Sequence, residues 1–151
     1  MAYKPEDRHA LYFEAILQLR DVEKEVIDFV EDEIERVKLT VAKTVPFKNG
    51  IDYYLSSNSL TRALGKRLKE RFGGDTKVTS SLWGVKKDRE VYRVTGLFRG
   101  VPFKKNDIVI YEGDEYKIIS LRKDIFIQEV KTGKKAHVRY NDMNWIKKKE
   151  D

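Results

Sequence analysis

Between Tyr12 and Arg20 side chains alternate, with Phe13, Ala15, Leu17 and Leu19 on one face and Tyr12, Glu14, Ile16, Gln18 and Arg20 on the other, the two-residue period of a strand. From Asp21, an N-cap residue type, Val22, Val26, Phe29, Val30, Ile34 and Val37 recur at helical spacing. Asp28, Glu31, Asp32 and Glu35 take the outer face, so this helix is acidic outside. After Pro46 and the turn pair Asn49-Gly50, Ile51, Tyr53 and Leu55 alternate with Asp52, Tyr54 and Ser56, which predicts a second strand. Ser57 to Ser59 offers N-caps for a second helix, whose stripe is Leu60, Ala63, Leu64, Leu68 and Phe72 and whose stop is Gly73-Gly74. Lys77 to Val85 and Glu90 to Leu97 read as two strands joined at Lys86-Lys87-Asp88-Arg89. The expected order is βαβαββ, and its short crossovers imply a mixed sheet.

Beyond Gly100 the period changes to short strands only: Ile108 to Tyr111, Glu115 to Leu121, Ile125 to Val130 and Ala136 to Tyr140, with a brief piece at Trp145-Ile146. Asn141 to Asn144 reads as a helical turn before that last piece. This is the plan of an SH3-like barrel. The expected fold class is therefore α+β, a mixed-sheet domain over residues 1–99 followed by a small barrel over 100–151, with the boundary near Arg99 to Val101.

Composition narrows the function classes. The chain has 151 residues, a net charge of +6 and 37% charged residues, while aliphatic and aromatic residues remain plentiful enough for a packed core. With no Cys there is no disulfide framework, no thiolate nucleophile and no Cys-based zinc site, so the expected setting is reducing and cytoplasmic. No apolar run approaches a membrane span, and no membrane association is expected.

Charge distribution then matters more than its sum. Arg62, Lys66 and Lys69 stand at i, i+4 and i+7, opposite the second helix's apolar stripe, so three cations project from one face along which phosphates can track. A solvated helix face is the competing reading. Lys86, Lys87 and Arg89 crown one hairpin, Lys131, Lys134 and Lys135 tip another, Lys104 and Lys105 precede the barrel and Lys147 to Lys149 follow it. Negative charge concentrates in the first helix, and such segregation is what polyelectrolyte binding rewards through counterion release. Tyr53, Tyr54, Trp83 and Tyr92 are candidates for base stacking or, more commonly, for packing. Asp52 with Asp75-Thr76-Lys77 resembles the Asp and Asp-x-Lys pattern of magnesium-dependent nucleases, although a whole helix separates the two elements. Nucleophile elbow, P-loop and dinucleotide fingerprint are all missing, so no catalytic site, metal or cofactor is expected.

Three stretches resemble the NMD-three family: Arg8 to Arg20 (RHALYFEAILQLR), Asn49 to Ser57 (NGIDYYLSS) and the Lys77 to Phe98 hairpin with Thr79-Ser80-Ser81. The resemblance implies a factor of the large ribosomal subunit: eukaryotic members are export adaptors, and archaeal relatives are taken to act in subunit maturation or translation. The sequence departs from the family's pattern at the front, where members carry a zinc module with paired Cys-x-x-Cys motifs, and it lacks the eukaryotic export signals. Ribosome binding is carried over and nuclear export is not. The family's barrel is likened to the N-terminal domain of translation factor five A, and Lys131-Thr132-Gly133-Lys134 resembles that factor's hypusine loop, with Lys134 at the modified position. Lys135-Ala136-His137 departs from that factor's continuation, and an unmodified lysine near RNA is expected.

The reading that follows is a non-catalytic RNA-binding factor, a monomer that docks on ribosomal RNA and ribosomal proteins through Arg62, Lys66, Lys69 and the hairpin lysines, with a GTPase or anti-association factor as a further partner. A magnesium-dependent nuclease and a protein-interaction module working through the barrel are the alternatives.

Overall fold

Ala15, Leu17 and Leu19 have no solvent exposure, and they make strand β1 (Ala15–Arg20) the centre of the first sheet in the computed structural model, which describes residues 12–86 and 89–149. The chain continues through helix α1 (Lys24–Arg36), β2 (Val41–Phe47), β3 (Gly50–Leu55), α2 (Asn58–Phe72), β4 (Asp75–Lys86) and β5 (Arg89–Arg99). The sheet order is β2-β3-β1-β5-β4, with β1 antiparallel to β3 and parallel to β5. It is a mixed sheet, as the short crossovers imply.

Both helices cover one face, where Val26, Val30 and Ile34 of α1 and Leu64 and Leu68 of α2 meet Leu17, Leu19, Tyr53, Leu55 and Phe98. Glu33 of α1, itself buried, accepts from Arg36 at 2.8 Å and from Arg67 of α2 at 2.7 Å, which ties the helices together. Tyr53 donates its hydroxyl to Glu31 at 2.9 Å. The opposite face carries no helix among the described residues. There Arg20 pairs with Asp52, Phe13 packs edge-on against Tyr54, and Lys43 sits 4.3 Å from the Tyr54 ring.

The expectation of a single strand between the helices is corrected to two, so the order is βαββαββ. β2 is an edge strand paired antiparallel with β3, turning back at Lys48-Asn49. No residue of β2 is buried, so no apolar period marked it, and Pro46 argues against a strand except at an edge. Asp21 is not the cap of α1. It adopts a left-handed conformation (φ 54°) and pairs with Arg99 at 3.0 Å, while the helix begins after Glu23 without a side-chain cap. The inward stripe of α2 is Thr61, Leu64 and Leu68, with Leu60 and Ala63 exposed.

A second sheet, β10-β6-β7-β8-β9, follows: β6 (Ile108–Tyr111), β7 (Asp114–Leu121), β8 (Ile125–Glu129), β9 (Lys135–Val138), a 3-10 turn (Tyr140–Trp145) and β10 (Lys147–Lys148). Its core of Val109, Ile118, Ile125, Ile127, Val138, Tyr140 and Met143 is distinct from the first. Neighbouring strands pair antiparallel, and among the described residues no pairing joins β9 to β10, so the sheet is an open meander rather than a closed barrel. Among the described residues no helix is long and apolar enough to cross a membrane.

Candidate nucleic-acid interface

Helix α2 carries Arg62, Lys66, Arg67, Lys69 and Arg71 against the single acidic Glu70. It starts because the Ser57 hydroxyl accepts from the Leu60 N–H at 3.2 Å, satisfying a first-turn donor, and it stops at Gly73, whose left-handed backbone (φ 69°) only glycine adopts cheaply. One flank turns to α1: Arg67 reaches Glu33, and the Arg71 guanidinium lies 5.2 Å from the Phe29 ring. The other flank carries Arg62, Lys66 and Lys69, all exposed, and among the described residues none of the three has an ion-pair partner.

Two grooves open on that free flank. The larger, about 550 Å³, lies between the end of α2 and the second sheet, where Lys66, Lys69 and Arg71 face Arg122 and Lys123, with Glu70 the single carboxylate. A concave surface lined by one sign of charge focuses the field and concentrates counterions. Its wall is held by Tyr140, whose hydroxyl donates to the Arg122 carbonyl at 2.7 Å. Burial, with Asp124 nearby, pushes the Tyr140 phenol up and keeps it a neutral donor. Gly73 completes the joint, since a Cβ there would stand 2.6 Å from the Tyr140 hydroxyl. The smaller groove, about 190 Å³, runs beneath α2 against β4 and β5, and Arg62, Lys66, Lys69 and Lys77 line it.

The second set of expected residues sits apart from this surface. Lys131, Lys134 and Lys135 are exposed around the β8–β9 turn, which is internally hydrogen-bonded: Thr132 donates to Glu129 at 2.7 Å, the Lys134 N–H donates to the Thr132 hydroxyl at 3.2 Å, and Gly133 is left-handed. Lys87 and the side chains of Lys86, Arg89 and Trp83 lie outside the described residues. Of the other aromatic candidates Tyr53 is buried, Tyr54 is half-buried and Tyr92 is exposed. Sequence reasoning missed Arg71, Lys77, Arg122 and Lys123. Lys77, Arg122 and Lys123 come from elements that meet α2 only on folding, so no spacing along the chain connects them to it, while Arg71 stands on α2 itself, off the i, i+4, i+7 line of the other three.

The nuclease pattern is not assembled. Asp52 on β3 and Asp75 on β4 are separated by β1 and β5, roughly 14 Å at normal strand spacing. Asp52 is buried and takes a 2.7 Å bond from Arg20, so its charge is already neutralised. Among the described residues no cluster of three His, Asp or Glu side chains is placed to hold a metal ion.

The family model described as NMD3, second domain, matches residues 12–99, more than half of the chain and the whole of the first sheet with its two helices. No curated relative matches the sequence. The resemblance carried by the NGIDYYLSS run and by the β4–β5 hairpin is thereby upheld, and the chain belongs to the NMD3 family of ribosome-associated factors, a family associated with export and biogenesis of the large ribosomal subunit.

Proposed function

We propose that this chain is a non-catalytic RNA-binding factor that docks on the large ribosomal subunit, in maturation or in translation. The observation that carries this reading is the free flank of α2: three cations with no ion-pair partner among the described residues, two of them shared with a groove whose facing wall supplies Arg122 and Lys123. Phosphate contacts of this kind position a protein on RNA by shape, without reading sequence. In this proposal the chain is organised as two domains, 1–99 and 100–151. The second is an opened SH3-like barrel that presents Lys131, Lys134 and Lys135 to RNA, and the acidic outer face of α1 turns to solvent or to a basic ribosomal protein. The factor acts as a cytoplasmic monomer, with a GTPase or anti-association factor as a further partner.

Co-sedimentation with purified large subunits across a salt series, with magnesium present and RNA integrity followed in the same tubes, tests it. Pelleting that falls steeply with salt while the RNA stays intact is the expected result. Failure to pellet at low salt overturns the reading.

A further inference from the structure

The smaller groove under α2 is kept open by two facing glycines. Gly65 lies on the inward side of α2, between Thr61 and Leu68, and Gly96 lies on β5 beneath it. Neither has positive φ, and neither is forced by close packing: a Cβ on Gly65 would meet nothing within 4 Å, and one on Gly96 only the tip of Leu17 at 3.8 Å. Glycine in a helix interior is destabilising relative to alanine, so empty space here is maintained at the expense of the helix. The floor is apolar, from Leu17, Val78 and Val94. One polar atom is left over: the Thr61 hydroxyl, on a residue only 1% exposed, has no hydrogen-bond partner among the described residues.

We infer that this groove receives a single unstacked nucleobase of a bound RNA. The inference rests on the RNA-docking reading above and adds to it a base-binding site. The volume, about 190 Å³, is below the roughly 300 Å³ at which pockets for larger ligands begin, which suits one ring system. An apolar slot accepts the faces of the heterocycle, and a turn of the Thr61 side chain, whose hydroxyl is closed to solvent in the free protein, brings that hydroxyl to a ring nitrogen or exocyclic group at its edge. Arg62, Lys66, Lys69 and Lys77 surround the slot at the position of the flanking phosphates. A hydrophobic side chain from an acidic peptide would meet the same cations but leave the Thr61 hydroxyl unpaired, so a base fits better.

Titration of the full chain with the four nucleoside monophosphates, and separately with ribose 5-phosphate, tests the slot. At least one nucleotide is expected to bind tenfold or more tighter than ribose 5-phosphate, and Gly65→Leu, which fills the slot without changing charge, is expected to abolish that difference. Gly65→Ala takes only part of that space with one methyl group, so it should weaken the difference without abolishing it, and it controls for folding. Equal affinity for nucleotides and ribose 5-phosphate, or nucleotide affinity untouched by Gly65→Leu, overturns the base site. Pelleting of Gly65→Leu with large subunits separates the two readings: if it still pellets while nucleotide discrimination was never present, the docking reading stands and the base site falls. Selective capture of an acidic peptide by wild type but not Gly65→Leu assigns the slot to protein and also overturns it.

Discussion

Arg20 on β1 and Asp52 on β3 meet at 2.7 Å on the face of the first sheet that no helix among the described residues covers, and the same guanidinium lies 4.6 Å from the ring of Phe47 on β2. One side chain thus links three strands. Asp52→Ala leaves a mostly buried arginine with the Leu19 carbonyl, at 2.9 Å, as its one acceptor among the described residues. A loss of about 2 kcal/mol in urea unfolding is expected. Incubation of the wild-type chain with RNA and magnesium should leave the RNA intact, because the carboxylate is structural.

Neutralising the free flank of α2 should act differently. The triple replacement Arg62→Gln, Lys66→Gln and Lys69→Gln removes no ion pair, so the folding free energy should move by less than about 0.5 kcal/mol. The slope of log affinity against log salt for RNA should become shallower by roughly 2–3, about one unit for each phosphate that is no longer neutralised. An unchanged slope in filter binding would place the RNA elsewhere.

Two glycines of α2 should respond with opposite signs to alanine. Gly65→Ala adds a methyl group into open space in a helix interior and is expected to stabilise by about 0.5–1 kcal/mol. Gly73→Ala imposes a side chain at positive φ and drives its Cβ into Tyr140, which its bond to Arg122 holds in place, so a loss of about 2 kcal/mol or more is expected. Thermal melts of the two variants beside wild type decide both.

Alkaline stability follows from the tyrosines. Burial and the Glu31 hydrogen bond push the Tyr53 phenol well above its ordinary 10.0, and burial with Asp124 raises Tyr140. The folded state therefore holds protons that the unfolded state releases near pH 10. This contribution is fully present below that pH and is lost as pH rises further. Absorbance titration should show these two phenols ionising only as the protein unfolds, and Tyr53→Phe should move the alkaline unfolding midpoint upward relative to its midpoint in urea at neutral pH.

Much of the first unit was legible because its central elements bury one face. The alternation around Leu17 and the Ser57 and Gly73 boundaries of α2 are local signals that the fold obeys. β2 was not legible, since an edge strand with no buried residue has no period to read. The rotation of α2 by one position, from Leu60 and Ala63 to Thr61, was hidden because a hydroxyl in the core does not look apolar in sequence. That Arg62, Lys66 and Lys69 share one exposed face of α2 was legible from their spacing, but the groove that gives two of them a facing wall depends on how Tyr140 seats against Gly73. Gly65 did carry a signal, an isolated glycine within a helical pattern, which sequence reasoning passed over.

Pro46 in β2 has a consequence for assembly. A sheet that adds copies of itself without limit needs two edges able to hydrogen-bond outward. Here β2 and β4 are the two edges, and proline is accepted in a strand only where its missing N–H faces away from the ladder. The β2 side is thus poorly suited to receive another strand, and exposed Lys43 beside it adds charge. Within the first sheet, among the described residues, only β4 remains as a pairing edge, so contact between two copies through this sheet ends at a twofold pair.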